Sequence, residues 1–378
     1  MTDSDTIYRI LQQHLDDQAV GFPSIKTGAD IRLLKRLFTP DEAKLALHLT
    51  YQPAHRDLII DRAAAGFSAA QTDSLLESMF QRGALGWKER AGASYWYLLP
   101  LLIGMYEAQD GNPSLEFLYD ADAYMKTLSF GKSFLSVKPS QMRTIPINKS
   151  ISVEHHVATY DSIRALVKES SGPYAVLPCI CRKSSAMRNR PCAKTSRDET
   201  CLAFGDMAAM VLRRGHGREL DREVVMAILE KNEEDGLVLQ PANAQQPEFV
   251  CSCCGCCCGM LAYQKFLRRP VDFWASTYSA EVTAATCVHC GTCAERCQVG
   301  AISLSGPGGE AMVNRSRCIG CGLCVPTCPS QSIKLLQNPS ATVPPRNEEA
   351  LCDEIKANRP GAAEQWKILV KTALKLKQ

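Results

Sequence analysis

The segment Cys287-Val-His-Cys-Gly-Thr-Cys-Ala-Glu-Arg-Cys297 is followed, after twenty residues, by Cys318-Ile-Gly-Cys-Gly-Leu-Cys-Val-Pro-Thr-Cys-Pro329. In each copy three cysteines are separated by two residues, and a fourth cysteine follows after three more. Three thiolates on one tight, glycine-containing loop can bind three irons of a cubane, whose fourth iron needs a ligand from elsewhere. The repeated spacing therefore predicts two [4Fe–4S] clusters held by eight cysteines.

The two copies are predicted to exchange their fourth ligands, because in this arrangement the last cysteine of each copy binds the other cluster. One predicted ligand set is Cys287, Cys290, Cys293 and Cys328, and the other is Cys318, Cys321, Cys324 and Cys297. Zinc is an alternative for CxxC pairs, but a zinc ion needs two such pairs rather than a repeated triplet. The groups expected to tune the cluster potentials through hydrogen bonds to sulfur are the N–H groups near Gly291, Gly320 and Gly322, with His289 as a further donor.

Residues 280–335 resemble a bacterial-type two-cluster ferredoxin domain. The second copy matches the family pattern in full, whereas in the first copy Gln298 stands where the family has proline, so the loop after Cys297 is expected to differ. Residues 301–304 and 332–335 follow their motifs at matching distances and are each expected to lead from a helix into a strand. The resemblance implies a pseudo-symmetric fold that transfers electrons.

Chain length and hydrophobic patterning predict an α+β protein of several domains, because 378 residues suffice for two to three hydrophobic cores. The predicted divisions are a winged-helix-like docking domain at 1–105, a small α/β cysteine-rich metal domain at 106–275, a ferredoxin-like 2[4Fe–4S] domain at 276–337, and a linker with a C-terminal helix at 338–378.

The number of cysteines and the net charge indicate in which cellular compartment the protein works and which classes of partner it binds. Nineteen cysteines without an apolar leader segment indicate metal binding in the cytoplasm rather than disulfides, in a cell that protects clusters from oxygen, as an anaerobe does. A net charge of +3 gives no general reason for nucleic-acid binding. The longest uncharged apolar run, 95–106, is too short to span a bilayer. The chain has neither a GxGxxG fingerprint nor a P-loop, so nucleotide sites of those types are not indicated.

The N-terminal region resembles a winged helix-turn-helix. A helix is predicted to begin at Thr39-Pro40, a second to cover 56–65, and a third to begin after Ser68, followed by a hairpin at 86–97 around Gly92. The third helix carries Asp73 and Glu77 against Arg82 alone, whereas a DNA-reading helix needs cations and polar groups on its exposed face. These charges favour protein docking, including homodimerisation, over DNA binding.

Ten further cysteines lie between the N-terminal region and the ferredoxin motifs, in two groups: Cys179, Cys181, Cys192 and Cys201, and then Cys251, Cys253, Cys254, Cys256, Cys257 and Cys258. A strand over 174–177 is expected to deliver Cys179 and Cys181 at its C-terminal end, in a small α/β unit. The second group cannot all reach one ion, because neighbouring side chains in an extended chain point to opposite faces. Some of its thiols are therefore expected to share a site with the first group.

Three interpretations of these ten cysteines stay open: a third iron–sulfur cluster, structural zinc, and a sulfur-relay or thiol-redox surface. Residues 179–219 hold nine Lys or Arg and four acids, a basic surround that favours an anionic cluster. The CxCR segment, the spaced cysteines and the CxCCxCCC run also resemble a modular iron–sulfur family found beside ferredoxin domains in anaerobes. That resemblance fixes no substrate and no catalytic residue.

Taken together, these patterns predict an electron carrier or a subunit of an anaerobic oxidoreductase. Electrons would pass between the two [4Fe–4S] clusters and a further metal site among the middle cysteines, with a redox protein as partner. Two alternatives are a redox-responsive regulator that binds DNA through its N-terminal domain, and an enzyme whose middle domain reduces an anionic substrate. Residues 348–377 are predicted to form one or two helices that pack on the protein or on a partner, with Cys352 as an ordinary thiol.

Overall fold

The computed structural model describes residues 3–111, 113–151, 158–339, 341–361, 363–367 and 370. In chain order its α-helices are α1 Asp3–Asp16, α2 Ala29–Leu37, α3 Pro40–Ala46, α4 Arg56–Ala63, α5 Ala69–Gln81, α6 Leu115–Met125, α7 Leu128–Leu135, α8 Ile163–Glu169, α9 Ile180–Met187, α10 Gly205–Arg213, α11 Arg222–Glu234, α12 Gly259–Phe266, α13 Thr292–Arg296 and α14 Glu348–Ala357. Its strands are β1 Ala54–His55, β2 Leu85–Arg90, β3 Ala93–Leu98, β4 Arg143–Thr144, β5 Tyr174–Pro178, β6 Glu199–Phe204, β7 Arg218–Leu220, β8 Val238–Pro241, β9 Phe249–Cys253, β10 Ala275–Ser276, β11 Tyr278–Val282, β12 Ile302–Leu304, β13 Ala311–Val313 and β14 Ile333–Gln337.

The chain divides into two compact units, and the mixture of helices with several small sheets confirms the α+β class. The first unit comprises residues 1–138, 206–217 and 352–369, and the second comprises 139–205, 218–351 and 370–378. The middle cysteines and the ferredoxin motifs therefore lie in one unit. The four domain boundaries expected from the sequence stay predictions.

The first unit contains the predicted helices and hairpin of the N-terminal region. Thr39 and Ser68 close capping boxes with Glu42 and Gln71, which satisfy the free N–H groups at the starts of α3 and α5. Strands β2 and β3 pair around Gly92, and the sheet order is β1-β3-β2. These elements have the order on which the winged-helix resemblance rests, and the resemblance itself stays a prediction.

The half-buried acids of α5 form ion pairs with arginines within the first unit. Arg56 binds Asp73 at 2.5 Å, and Arg213 of α10 binds Glu77 at 2.6 Å. The Arg213 guanidinium also lies 4.5 Å from the ring centre of Trp87 and 4.7 Å from that of Phe80. Segment 206–217 thus packs on the helix and hairpin that a DNA-binding function would require.

The described part of the C-terminal tail packs on the first unit. Arg359 binds Asp16 at 3.1 Å, and the Trp366 ring lies 4.9 Å from Lys132 Nζ. This agrees with the prediction that the tail packs back on the protein. The predicted helix beyond residue 370 lies outside the described residues.

The second unit is built on a five-stranded sheet of order β7-β5-β6-β9-β8. All of its neighbouring strands are antiparallel. The expected strand at 174–177 is present as β5, and it delivers Cys179 to the start of α9. Because the pairing is antiparallel, however, the crossover geometry of α/β units does not explain where the cysteines lie.

One hydrophobic core joins this sheet to the ferredoxin segment. It contains Leu239 and Val250 from the sheet together with Ile319 and Leu335 from the segment that carries the second motif. Residues 301–304 and 332–335 enter strands as predicted, and β12 pairs with β13 while β14 pairs with β11. The expected helix precedes only the first of these strands, as α13, whereas residues 321–332 of the second motif form turns. The two sets of cysteines are therefore held on a common, packed support. Within the described part of the chain, no helix has the length and apolarity needed to cross a membrane.

Candidate metal centres

The eight ferredoxin-type cysteines lie on two similar loops. Ala301 donates its N–H to Cys297 Sγ at 3.1 Å, and Ser332 donates its N–H to Cys328 Sγ at 3.3 Å. In both motifs the donor is thus the fourth residue after the last cysteine, which reproduces the internal repeat seen in the sequence. Such N–H···S bonds stabilise thiolate ligands and help to set cluster potential.

The last cysteine of each motif lies near cysteines of the other motif. Burial raises the pKa of Cys321 to about 12, and the neighbouring thiols Cys297 and Cys318 act in the same direction. Hydrogen bonding to Thr292 lowers the pKa of Cys290, against the opposing influence of Cys328. This placement agrees with the two exchanged ligand sets, which stay a prediction.

Glycine is required where the second motif passes under β11. Gly320 has a positive φ of 66°, and a Cβ at this position would come within 2.1 Å of the Tyr278 carbonyl oxygen. The Gly320 N–H is one of the donors to Cys318, and Ala280 donates a second bond to the same sulfur at 3.2 Å. The N–H of Thr292, beside Gly291, bonds to Cys290, and the N–H of Leu323, beside Gly322, bonds to Cys321. N–H donors near all three glycines thus meet sulfur atoms of predicted ligands.

Six of the ten middle cysteines lie together where the start of β6 meets the end of β9, in the interior of the five-stranded sheet. Cys201 lies on β6, where the 202–250 register places it opposite Cys251, and Cys253 follows on the same face of β9. Cys179 immediately precedes α9, Cys181 lies in its first turn, and Cys258 immediately precedes α12. Strand register and two helix starts thus bring together thiols from both sequence groups.

These six thiols form a closed ring, hereafter the six-thiol ring. Each thiol lies within hydrogen-bonding reach of the next in the order Cys179, Cys181, Cys258, Cys253, Cys251, Cys201 and back to Cys179. Cys179, Cys253 and Cys258 are buried, and the other three are half-buried. A ring of hydrogen-bonded thiols offers the sulfur ligands that soft metal ions prefer.

Proton sharing around the ring separates the pKa values of its members. Hydrogen bonds from Cys179 and Cys251 hold the pKa of Cys201 well below its usual value. Hydrogen bonding to Cys179 and Cys258, together with burial, raises the pKa of Cys181 well above it. Metal ions that bind here must displace the protons that the ring retains.

The other four middle cysteines, Cys192, Cys254, Cys256 and Cys257, form a second cluster, hereafter the four-thiol group. Their sulfur atoms all lie within 4.8 Å of one another. Cys192 Sγ is 3.6 Å from Cys254 Sγ and 3.7 Å from Cys256 Sγ, and the Cys256–Cys257 separation is also 3.7 Å. The loop that carries Cys192 is anchored by Arg197, which binds Asp235 of the α11 C-terminus at 2.7 Å.

A buried arginine lies beside the six-thiol ring. Arg182 is 3 % exposed, donates to the Ser252 carbonyl oxygen at 3.1 Å, and contacts Thr200 Oγ1. Burial lowers the pKa of Arg182, but the charges of the neighbouring Cys179 and Cys201 outweigh it, so that the net shift is upward. Among the described residues no carboxylate forms an ion pair with this guanidinium. Its position predicts that the surrounding thiols carry negative charge, since a buried cation needs a counter-ion.

Gln298 connects the ferredoxin segment to the middle cysteines. Its Oε1 accepts a hydrogen bond from the Gly255 N–H at 2.9 Å, and its Nε2 donates to the Gly236 carbonyl oxygen at 2.9 Å. Gly255 lies between Cys254 and Cys256 of the four-thiol group, and Gln298 directly follows Cys297. In the sequence Gln298 is visible only as a departure from the family pattern. That departure was the available signal for this contact.

Comparison with known proteins identifies one part of the chain. Residues 280–342 match the family model of the 4Fe-4S dicluster domain. No curated protein and no solved structure matches the chain. The match confirms an iron–sulfur domain at the position expected from the cysteine spacing. The number of clusters, their ligands and the metal at the middle cysteines stay predictions.

Proposed function

We propose that this protein transfers electrons between a redox partner protein, two [4Fe–4S] clusters and a further metal centre among its middle cysteines. The observation that carries the proposal is the Gln298–Gly255 hydrogen bond, which joins the residue after Cys297 to the loop of Cys254 and Cys256. An isolated ferredoxin domain has its electron acceptor outside the molecule. Here a second set of thiols is packed directly against the dicluster domain, which supplies an internal destination.

The surroundings of the two motifs suggest an order of transfer. Cys290 of the first motif is exposed, and the adjacent Val288 is 60 % exposed, so the first cluster is the one that a partner protein can approach. Cys318 and Cys324 of the second motif are buried. With the exchanged ligand sets, Cys297 belongs to this inner cluster. Electrons would then pass from the partner to the outer cluster, to the inner cluster, and past Gln298 to the middle cysteines.

A role as a DNA-binding regulator receives less support from the first unit. Asp73 and Glu77 lie on the surface of α5, and Glu77 forms an ion pair with Arg213. DNA phosphates would meet paired acids at this surface, which opposes binding. We therefore assign the first unit a docking role for a partner protein or a second copy of the chain.

The proposal is tested on full-length protein purified without oxygen. We expect about eight or more irons per chain, a comparable amount of acid-labile sulfide, and reversible reduction by dithionite with EPR signals of reduced [4Fe–4S] clusters. Reoxidation of the reduced protein by a small-molecule acceptor, without any partner protein, should leave its iron content unchanged. A chain without labile sulfide, or with clusters that break down on one reduction cycle, would contradict an electron-transfer function.

A further inference from the structure

We infer that the ten middle thiols form two separate metal centres of different size. The four-thiol group is a site for one tetrahedral divalent ion, which we take to be zinc. The six-thiol ring holds a polynuclear iron–sulfur centre. This inference rests on the proposed function, since it specifies which of the two sites receives the electrons.

The spacing of the four-thiol group fits a single ion. A tetrahedral zinc ion with Zn–S bonds of about 2.3 Å requires ligand sulfur atoms that are about 3.8 Å apart. The three separations in this group are 3.6, 3.7 and 3.7 Å. In an iron–sulfur cubane each thiolate binds a different iron, and inorganic sulfide lies between the irons, so the thiolates are farther apart. Four thiolates also fill the coordination sphere of zinc, as in structural sites.

The six-thiol ring has a different geometry. Among the described residues, the four-thiol group is the one cluster of three or more Cys, His or acidic side chains whose ligand atoms all lie within 4.8 Å of one another. Each ring thiol lies within hydrogen-bonding reach of its two neighbours, but no three ring thiols have sulfur atoms that all lie within 4.8 Å of one another. Two zinc ions with two shared thiolates would also use six ligands, but each ion would then draw four sulfur atoms to about 3.8 Å of one another. The open ring instead suits a centre in which inorganic sulfide separates the metals.

The charge around the ring fits an anionic cluster. Arg182 is buried beside Cys179 and Cys201 without a carboxylate ion pair in the described part of the chain, so the ring itself must supply the counter-charge. Backbone N–H groups of Ser252 and Leu261 bond to Cys201 and Cys258. Buried thiolate clusters with N–H···S bonds and a nearby guanidinium are stabilised as anions. The same guanidinium also acts on Cys254 of the four-thiol group, but less strongly than on Cys179 and Cys201, and the four-thiol group includes the exposed Cys256.

The test measures metals and sulfide in full-length protein purified without oxygen, for the wild type and two serine variants. We expect one zinc per chain and more than the roughly eight irons that two cubanes contain. Cys256→Ser should lose the zinc and keep the iron. Cys251→Ser, a half-buried ring position, should lose the additional iron and sulfide while it keeps the zinc.

Two outcomes would overturn the inference. Loss of zinc and additional iron together in either variant would show one composite site, and a wild type without zinc would remove the one-ion assignment. If a variant fails to fold, zinc-edge X-ray absorption of the wild type tests the one-ion assignment independently. Four sulfur ligands at about 2.3 Å would support zinc in the four-thiol group, whereas nitrogen or oxygen ligands would exclude it. Failure of the proposed function is distinguishable, since it would abolish the reversible EPR signals of the eight-iron dicluster domain itself.

Discussion

Gly255 donates its N–H to Gln298 at 2.9 Å, and this bond places the residue after one predicted cluster ligand next to two thiols of a different centre. Gln298 is 5 % exposed and uses both ends of its amide, since it also donates to Gly236. A proline at this position, as in the ferredoxin pattern, has no side-chain donor or acceptor. Glutamine at position 298 therefore lacks the turn-forming ring of proline, but it connects two segments of the second unit through its amide.

Gln298→Leu should destabilise the second unit and slow internal electron transfer. The leucine side chain has a similar volume but removes the hydrogen-bond partner of the buried Gly236 carbonyl oxygen and of the half-buried Gly255 N–H. An unsatisfied buried group costs about 1–3 kcal/mol, and a half-buried group costs less. We expect the free energy of unfolding in anaerobic denaturant titrations to fall by about 2 kcal/mol or more. Gln337→Leu, at an exposed position on β14, is the matched control and should change stability by less than about 0.5 kcal/mol. Equal stability of the two variants would show that the Gln298 bonds are not structural.

Gly255→Ala tests whether close approach of the two segments shapes the four-thiol group. A Cβ on Gly255 would lie 2.3 Å from the Gln298 carbonyl oxygen, so the loop of Cys254 and Cys256 has to move. We expect the affinity of the four-thiol group for zinc, measured by competition with a chelator, to fall at least about tenfold, or about 1.4 kcal/mol.

Gly259→Ala is the control for this steric effect. Gly259 begins α12 only four residues further along the chain, and a Cβ there would meet no atom within 4 Å. Alanine is also the better helix former, so zinc affinity should be unchanged and stability equal or slightly higher. A similar loss of zinc in both variants would assign the effect to backbone flexibility rather than to the contact with Gln298.

The sequence was sufficient for the ferredoxin segment but not for the middle cysteines, and the difference is physical. Three ligands of each predicted cubane lie on one short loop, so that their spacing alone defines the geometry. The ring instead depends on the β6–β9 register, which sets Cys201 opposite Cys251. Alternation along β9 then directs Cys251 and Cys253 to the ring, whereas the turn at Gly255 carries Cys256 and Cys257 to the other group. No spacing rule contains that information.

Sequence order alone also could not show that the strands around the middle cysteines are antiparallel, so the expected α/β unit was wrong. The strand at 174–177 was predicted correctly, but linear order does not reveal whether neighbouring strands are parallel. The structure pairs β5 with β6 and β7 in antiparallel fashion. Arg182 was recognised from sequence only as one of nine basic residues, because its burial is a property of the folded sheet.

Arg182 should set the reduction potential of the ring centre. A unit charge about 6 Å from a cluster, in a medium of effective dielectric constant about 20, contributes roughly 3 kcal/mol, or on the order of 100 mV for one electron. Arg182→Met removes the cation that stabilises the reduced, more negative cluster, so the potential should become more negative by about this amount. EPR-monitored redox titration measures the shift.

Arg182→Lys separates charge from packing. Lysine keeps the positive charge but cannot reproduce the guanidinium contacts to Ser252 and Thr200, so both variants should lose stability. Only the methionine variant should show the full change in potential. If the two variants shift the potential equally, Arg182 acts through the shape of the site and not through its charge.

The exchange of ligands between the two ferredoxin motifs can be tested by non-additivity. Cys297 and Cys321 come from different motifs but are predicted to bind the same cluster, whereas Cys297 and Cys290 are predicted to bind different ones. Cys297→Ala should lose about four of the roughly eight dicluster irons, and adding Cys321→Ala should remove no more. Adding Cys290→Ala should instead remove most of the remaining dicluster iron. Because all three single variants remove one thiol from the same domain, general destabilisation predicts similar losses in both double variants. Greater loss with Cys321→Ala than with Cys290→Ala would mean that each motif supplies all four ligands of its own cluster.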